Sequence, residues 1–332
     1  MRILVLGGTR FIGPFLVREL VAAGHEVAIF HRGEHEVELP VEHMHGDFAD
    51  FDRRLHELRA FEPETVVDML AVRAEDAARV AGFAGVADRA VVVSSSDVYR
   101  AFARVWRTEP GPPDPVPLTE ESPLRANVID PEYDKLGVEA ALREVDLPVA
   151  VLRMTGVHGP GDYQHRLWTY VKRIDDGRPA ILLAAEVESW RRARVYVENA
   201  AHAIAVAAVD QRAAGDTFNV ADETALTEAE WISEIASATG WSGRIVIAPS
   251  PALPVYLQEG DFDFSQDYVL DTSRIRERLG YREIVSANDG LRRTIAWERA
   301  NPAGPGYPHP EHLDHFDYDA EDDALARLGS GS

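Results

Sequence analysis

The chain has 332 residues, 45% of them hydrophobic and none of them cysteine. It is long enough to bury a sizeable core, and it excludes disulfides, thiolate nucleophiles and cysteine-ligated metals. The formal net charge of -22 argues against a nucleic-acid partner, because phosphate backbones bind to basic surfaces. The longest uncharged apolar run, AIAVAAV, is too short to cross a bilayer, so we expect a cytoplasmic protein with no membrane partner.

The first half of the chain alternates between short apolar strands and helices. RILVLGG is the first predicted strand, PFLVRELVAAGH the first helix and HEVAIFHRG the second strand. Strands at ETVVDML, RAVVVSSS and PVAVLRM are interleaved with helical stretches such as EDAARVAGFA and DKLGVEAALREV. This alternation predicts an α/β fold with a doubly wound parallel sheet of the Rossmann type over residues 1–154.

The pattern loosens after residue 154. Helices are expected at VENAAHAIAVAAV, EAEWISEIASATG and ANDGLRRTIAWERA, and we predict a smaller α/β substrate lobe over residues 155–300, with segments that return to the Rossmann domain. RTEPGPPDPVPLTEESP is too rich in proline for a helix or central strand and predicts a long ordered loop. The tail, residues 301–332, is proline-rich and then acidic, which is typical of a surface strap or of partial disorder.

VLGGTRFIG follows a strand and opens a helix, the context in which a glycine motif predicts a dinucleotide site. Gly7 allows the tight turn and Gly13 the close packing of helix on strand, while the helix N-terminus offers amide donors to a pyrophosphate. A merely tight strand-to-helix turn is the alternative. The predicted cofactor contacts in this loop are Gly7, Thr9, Arg10, Phe11, Ile12 and Gly13.

Cofactor preference is read from the end of the second strand. A site that prefers NAD usually has an acidic residue there, and IFHRG has none. Arg32 is placed to pair with a ribose 2′-phosphate, assisted by Arg10, since a guanidinium binds phosphate with two hydrogen bonds. We therefore favour NADP(H); the alternative is NAD(H), with Arg32 as a solvated loop residue.

A series of motifs carries a family resemblance: GGTRFIG, HGD at 45–47, VVVSSSDVY, DKLGVEAAL, VLRMTGVHGPGD, RVYVENAAHAI, DTFNVAD and GLRRTIAWER. Their order over about residues 1–300 resembles the extended short-chain dehydrogenase/reductase superfamily, in its NAD-dependent epimerase/dehydratase group. The resemblance implies that Asp47 and Phe48 contact the adenine and that Leu70 and Ala71 line the cofactor groove. It also implies a homodimer formed through the helices that flank the active-site strand.

The same resemblance implies the catalytic residues. Ser95 stands three residues before Val98, which is the family spacing, and Ser94 and Ser96 are near misses. In the family, serine hydrogen-bonds the substrate oxygen and tyrosine transfers the proton. The family lysine holds the nicotinamide ribose and lowers the tyrosine pKa, and Lys135 matches it because a Glu follows four residues later.

The tyrosine is displaced. The family places it four residues before the lysine, where this chain has Pro131, and Tyr133 stands only two before Lys135. On a regular helix two such residues point to nearly opposite sides. A helix start near Pro131 would instead leave Tyr133 in an irregular first turn aimed at the site. Tyr133 is thus either the acid/base or a packed or dimer-contact tyrosine, and Asp97 and His158 are its nearest substitutes.

Arginines in the second half suggest an anionic substrate group such as phosphate or carboxylate. They are Arg153 in VLRM and Arg191, Arg192 and Arg194 next to Trp190. Pairing with the acidic surface is the alternative for each. We name Asp97, Arg153, His158 and Arg192 as predicted substrate contacts. Thr155 stands where nucleotide-sugar members of the family often have asparagine, which weakens a UDP-sugar assignment.

Four histidines, His31, His35, His43 and His45, suggest a metal site. They straddle a strand end, a loop and the next strand without a convincing carboxylate partner, so we predict no metal.

These observations predict an NADP(H)-dependent oxidoreductase or epimerase that acts on a small hydroxyl- or carbonyl-bearing molecule such as a sugar derivative. The alternative is a catalytically degenerate NAD(P)-binding regulatory or sensor protein on the same fold.

Overall fold

The computed structural model describes residues 1–304, 307 and 316–329. Its strands are β1 (Arg2–Leu6), β2 (Glu26–His31), β3 (Glu42–His45), β4 (Thr65–Asp68), β5 (Arg89–Ser95), β6 (Val149–Met154), β7 (Gly156–His158), β8 (Ala180–Ala184), β9 (Arg194–Tyr196), β10 (Thr217–Val220) and β11 (Arg244–Ala248).

The helices are α1 (Ile12–Ala22), α2 (Phe51–Ala60), α3 (Ala77–Ala81), α4 (Arg100–Val105), α5 (Lys135–Leu142), α6 (Trp168–Asp175), α7 (Ala185–Glu188), α8 (Val197–Val209), α9 (Glu228–Thr239), α10 (Ser273–Leu279), α11 (Ala287–Ala300) and α12 (Tyr318–Gly329). Short 3-10 turns join several of them, including residues 48–50 and 96–98. None of the helices in the described residues has both the length and the apolar character needed to span a lipid bilayer.

One parallel sheet of seven strands forms the centre of the molecule, in the order β3-β2-β1-β4-β5-β6-β10. Its strands are apolar because helices cover both faces: Leu16 of α1 and Ile204 of α8 pack on one face, and Leu58 of α2 and Val138 of α5 on the other. The predicted doubly wound Rossmann fold is confirmed. The strand order reverses between β1 and β4, and ligands bind such sheets at the carboxyl ends of the strands beside this point.

A smaller group of elements extends beyond the carboxyl edge of the sheet. It contains two parallel strand pairs, β8 with β11 and β7 with β9, and its core packs Val171 of α6, Ile235 of α9 and Ile295 of α11 together. The proline-rich loop before α5 is ordered and attached to this part of the molecule, because Leu118 donates its backbone N–H to the carbonyl of Val269 at 2.7 Å.

The last described helix, α12, returns to α6. Arg173 of α6 and Glu321 of α12 are both buried and their side chains lie 2.6 Å apart. Tyr256 donates its hydroxyl to the same carboxylate at 3.2 Å. Much of the proline-rich stretch NPAGPGYPHP, namely residues 305–306 and 308–310, lies outside the described residues.

Candidate active site

The loop between β1 and α1 has the geometry of a phosphate-binding turn. Gly7 has φ +94°, and a Cβ there would lie 2.9 Å from Cγ of Leu70. A Cβ on Gly13 would lie 2.3 Å from the backbone of Gly8, so glycine is required where α1 crosses β1. Helix α1 begins at Ile12, directly after this loop, and the Gly13 N–H donates to the carbonyl of Arg10 at 3.0 Å, which closes the turn.

The surface around this loop carries exposed apolar and aromatic side chains. Leu70, directly after β4, is 40% exposed although it is apolar, while Ala71 is fully buried beneath it. Arg10 is exposed and its guanidinium carbon lies 5.9 Å from the centre of the Tyr163 ring. Phe11 meets the same ring edge-on at 6.3 Å. Thr9 is partly buried in the same loop, so the predicted cofactor residues of the loop lie beside Leu70 and Tyr163.

The residues assigned to the adenosine end lie beyond β2 and β3. The Asp47 carboxylate accepts the backbone N–H of Ala49 at 2.8 Å, and the ring of Phe48 packs edge-on against Phe30 at 5.0 Å. The side chain of Arg32 is 53% exposed and pairs with Glu34 at 3.0 Å. Arg32 thus stands at the end of β2 with a partner that a ribose phosphate would have to displace.

Three successive serines lie at the end of β5, Ser94 and Ser95 in the strand and Ser96 in the turn that follows, and their environments differ. The Ser94 hydroxyl is buried and donates to a carboxylate oxygen of Glu139 at 2.7 Å. Ser96 is also buried, at 4% exposure. Ser95 is partly exposed and accepts the backbone N–H of Asp97 at 3.2 Å. Its hydroxyl is therefore the one of the three that a substrate can reach.

Tyr133 lies in a turn before α5. The helix begins only at Lys135, so the angular rule for helical neighbours does not apply to this pair. The Tyr133 ring centre is 5.4 Å from the Lys135 Nζ, and the ring is 41% exposed. Partial burial raises the pKa of its hydroxyl, and the Asp97 carboxylate raises it further, whereas Ser95 acts in the opposite direction. The structure thus brings Tyr133, Lys135 and Ser95 together.

Lys135 joins the ends of β4 and β5. Its Nζ donates to the carbonyl of Ala71 at 2.5 Å and to that of Val93 at 2.9 Å. Burial lowers its pKa, and the buried carboxylate of Asp68 is the first of several acidic groups that oppose this shift. An ammonium has three donors, so one remains for a group in the crevice.

Asp97 is an acidic residue beside Ser95 and Tyr133. Burial raises its pKa, and its Oδ1 atom is buried without a hydrogen-bond partner in the described part of the chain. A buried carboxylate oxygen without a partner is costly, so this atom points to a ligand that donates a hydrogen bond.

Arg125 is a site residue that the sequence analysis missed. It is 3% exposed; its Nε donates to the backbone carbonyl of Asp97 at 3.0 Å and its Nη2 to the carboxylate of Asp134 at 3.1 Å. It thereby holds the turn that carries Tyr133 against the turn that carries Ser95. A lone arginine in a loop gives no sequence signal for this role.

Two predictions need correction: Arg153 is not a substrate contact, and His158, although it lines the same cavity as Arg192, is not a proton donor. Arg153 is buried, and each of its guanidinium nitrogens is hydrogen-bonded, to Glu139, Tyr99 or the carbonyl of Glu120, so no donor group is left without a protein partner. Arg153 therefore neutralises the buried carboxylate of Glu139. His158 is 4% exposed and its Nδ1 lies 3.1 Å from the Thr294 hydroxyl. Burial lowers its pKa to about 3, so it is neutral at physiological pH and unsuited to proton exchange there.

Arg192 lies at the far end of the crevice and lines a cavity of about 110 Å³. Two other cations of the wall are neutralised: Arg166 contacts the Asp162 carboxylate at 2.5 Å, and Arg194 pairs with Glu228. Within the described residues, Arg192 has no ion-pair partner. Sequence reasoning named Arg192 but missed Arg166.

The model of the NAD-dependent epimerase/dehydratase family matches residues 3–221 of the chain, which is more than half of it. The chain belongs to this family. The extended short-chain dehydrogenase/reductase resemblance and the prediction of an enzyme of this class are thereby confirmed.

Individual members are distant from this chain. A chloroplast stem-loop binding protein of 41 kDa from Arabidopsis thaliana is 25% identical over 317 residues, covering 87% of this chain and 77% of the plant protein. A 3-diazoavenalumate denitrifying reductase from a Streptomyces species is 28% identical over 319 residues, covering 91% and 97%.

A solved structure extends the comparison to the fold. An enzyme of Bordetella bronchiseptica in complex with NAD and UDP aligns with a TM-score of 0.67 at 22% identity, covering 90% of this chain and 95% of that one. At this identity the likeness supports the fold alone.

Proposed function

We propose that this family member is an NADP(H)-dependent oxidoreductase or epimerase that acts on a small hydroxyl- or carbonyl-bearing molecule with an anionic group. The observation that carries the proposal is the convergence of Ser95, Tyr133 and Lys135 at the carboxyl ends of β4 and β5, beside the phosphate loop. Sugar derivatives are the favoured substrate class, because relatives include dTDP-glucose 4,6-dehydratases and a 2'-dehydrokanamycin reductase.

The cofactor would lie across the crevice, with its pyrophosphate at the start of α1 and its adenosine toward Asp47 and Phe48. When bound, a nicotinamide exchanges a hydride with a substrate carbon. Lys135 holds the ribose beside it through its remaining donor, and Arg32 and Arg10 favour the 2′-phosphate of NADP(H).

The proton chemistry belongs to the chain's own side chains. The Tyr133 hydroxyl is protonated at neutral pH and donates its proton to the oxygen as a carbonyl is reduced; because burial raises its pKa and so weakens it as an acid, the transfer depends on the positive charge of Lys135. The Lys135 ammonium stabilises the phenolate that results. Ser95 donates a hydrogen bond to the same substrate oxygen, and the free Oδ1 of Asp97 accepts one from a neighbouring hydroxyl.

The anionic part of the substrate would contact Arg192. A guanidinium without a partner, in a cavity whose other cations are neutralised, favours a phosphate or carboxylate. The UDP complex of the Bordetella bronchiseptica enzyme is consistent with a nucleotide diphosphate as one source of this group.

The first experiment is a fluorescence titration with NADPH and with NADH, after determining which cofactor co-purifies. We expect tighter binding of NADPH, and a preference that falls in Arg32→Ala but persists in Arg18→Ala. Tightly retained NAD would contradict the proposed NADP(H) preference and point to epimerisation, in which the cofactor stays bound between half-reactions.

The second experiment is a panel of aldehydes, ketones and sugar derivatives assayed by NADPH oxidation. We expect Ser95→Ala to abolish turnover without loss of cofactor binding, and Ser96→Ala to keep both. Cofactor binding without turnover of any compound would instead support the alternative of a degenerate sensor.

The same proposal includes a homodimer in a reducing cytoplasm. Trp106 and Val128, in the segment between α4 and α5, are 47% and 53% exposed and offer apolar surface for a second copy. The absence of cysteine fits that compartment. Light scattering of the purified protein tests the dimer.

A further inference from the structure

The edge of the sheet holds a cluster of three imidazoles, His31, His43 and His45, each of which offers a nitrogen within 4.8 Å of the others. His31 is the last residue of β2, and His43 and His45 are alternate residues of β3, so the latter two share a face. Parallel pairing of the two strands sets His31 directly opposite His45. The sequence analysis placed these residues on separate elements and therefore discounted a metal.

The spacing of the nitrogens is close to that of a metal centre. His31 Nε2 and His43 Nδ1 are 2.8 Å apart, and the His31 and His45 rings meet edge-on with centres 4.7 Å apart. In a tetrahedral site with metal–nitrogen bonds of about 2.0–2.1 Å, neighbouring donor atoms lie about 3.3 Å apart. Modest rotations of the three side chains reach that geometry.

The surroundings supply an acidic ligand and a favourable charge. Oε1 of Glu36 lies 3.1 Å from Nε2 of His45, and both side chains are half exposed, so a fourth position is open to the carboxylate or to water. The loop from Gly33 to Glu42 carries four glutamates, and the nearby Arg32 is already paired with Glu34. This loop therefore attracts cations.

The present contacts of the His31 ring are ones that a metal ion can replace. Its Nδ1 accepts the N–H of Gly33 at 3.2 Å. The proton in the hydrogen bond between His31 and His43 is displaced when a metal binds. Gly33 has φ +83° and, as a glycine, can turn its amide away from the His31 Nδ1.

We propose that His31, His43 and His45, with Glu36 or water as the fourth ligand, bind one divalent transition-metal ion of the Zn²⁺, Co²⁺, Ni²⁺ and Cu²⁺ group. Nitrogen and oxygen donors without any thiolate suit these ions rather than Mg²⁺ or Ca²⁺. The ion would tie β2, β3 and the loop between them together, at the outer end of the sheet and apart from Ser95, Tyr133 and Lys135.

The test uses the full-length protein without a histidine tag, stripped with a chelator and titrated with Zn²⁺ by calorimetry and with Co²⁺ by visible absorption. We expect one equivalent bound, proton release that varies with the buffer, and cobalt bands typical of a tetrahedral site. His43→Gln and His45→Gln should weaken the affinity at least about 100-fold, since even losing a partner of a ligand costs roughly 10- to 100-fold. His35→Gln and His56→Gln, which lie outside the cluster, should bind as the wild type does.

Absence of stoichiometric binding, or equal binding by the His43 and His45 variants, would overturn the proposal. Both side chains lie on an edge strand and neither is fully buried, so the variants are expected to fold, which circular dichroism checks. If either variant unfolds, the second measurement is modification of wild-type histidines by diethyl pyrocarbonate. Zn²⁺ should protect His45 and leave His35 reactive, and equal reactivity of His45 with and without Zn²⁺ would also overturn the proposal. This outcome is independent of cofactor binding and turnover.

Discussion

The two ends of the crevice are built in different ways. At the loop between β1 and α1 the backbone shapes the turn, because glycine is required at Gly7 and Gly13, and the proposed pyrophosphate site depends on the amides of this turn. At the cavity of Arg192 side chains make the site, through pairs such as Arg194 with Glu228. A backbone site tolerates few substitutions and serves one invariant ligand group, whereas a side-chain site is altered by single exchanges and can be adapted to different substrates.

The largest effect is expected between these two regions of function, at the proposed proton donor Tyr133. Tyr133→Phe removes the proposed proton donor and keeps the ring, so turnover should fall roughly 100- to 10,000-fold while NADPH affinity is unchanged. Steady-state kinetics measure the turnover, and a fluorescence titration measures the NADPH affinity. Tyr163→Phe, at an exposed tyrosine on the other wall, is the matched control. A normal rate in Tyr133→Phe would assign the proton transfer to another group, with Asp97 the first to examine.

The backbone end is tested by a pair of glycines with similar conformations. Gly7 has φ +94° and Gly24 has φ +82°, so alanine at either position should cost about 1–2 kcal/mol in the free energy of unfolding. A Cβ on Gly7 also meets Leu70 in the groove, whereas one on Gly24 meets no described atom within 4 Å. We expect Gly7→Ala alone to lose NADPH binding. Equal affinities in the two variants would show that the loop does not hold the cofactor.

The side-chain end is tested by adjacent arginines. Arg192→Ala should raise KM for an anionic substrate roughly 10- to 100-fold, the value of one charge-assisted hydrogen bond, with little change in kcat. Arg191→Ala, next in the chain and exposed, should leave both constants unchanged. Equal KM increases in the two variants would indicate a general charge effect and not a binding site at Arg192.

The smallest effect concerns pH and His158. Its folded pKa of about 3 lies below the unfolded value of about 6.5, so the unfolded chain binds the extra proton between these values. Stability should therefore fall as pH decreases from about 6.5, by at most about 1.4 kcal/mol per pH unit. Denaturant unfolding at several pH values should show that the free energy of unfolding depends less on pH in His158→Gln than in the wild type. Identical slopes would mean that His158 is not held neutral in the folded protein.

The sequence predicts the backbone part of the molecule well. Apolar strands and glycine positions follow local rules, so the sequence predicts the central strands, whereas β3 (EHMH) and β10 (TFNV) at the edges contain polar residues and lack the apolar run of a central strand. The side-chain part depends on residues that are distant in the chain. Arg153 reads as an exposed cation because its partner Glu139 lies on another element, and the histidine cluster exists only through the register of β2 and β3.

Tyr133 shows the same limit at a single residue. Whether it opposes Lys135 or faces the same crevice depends on where α5 begins, and a helix start is fixed only within a few residues by sequence. The backbone N–H of Asp134 donates to the carbonyl of Val72 at 2.7 Å. This hydrogen bond belongs to the tertiary structure and cannot be predicted from the local sequence.

The ion pair between Arg173 and Glu321 has a consequence for biosynthesis. The two residues are 148 positions apart, and a ribosome adds about 5–20 residues per second, so Glu321 is added roughly 7 to 30 s after Arg173. During that interval the nascent chain exposes a cation that the finished protein buries. The ion pair can therefore form only after α12 has been added to the chain.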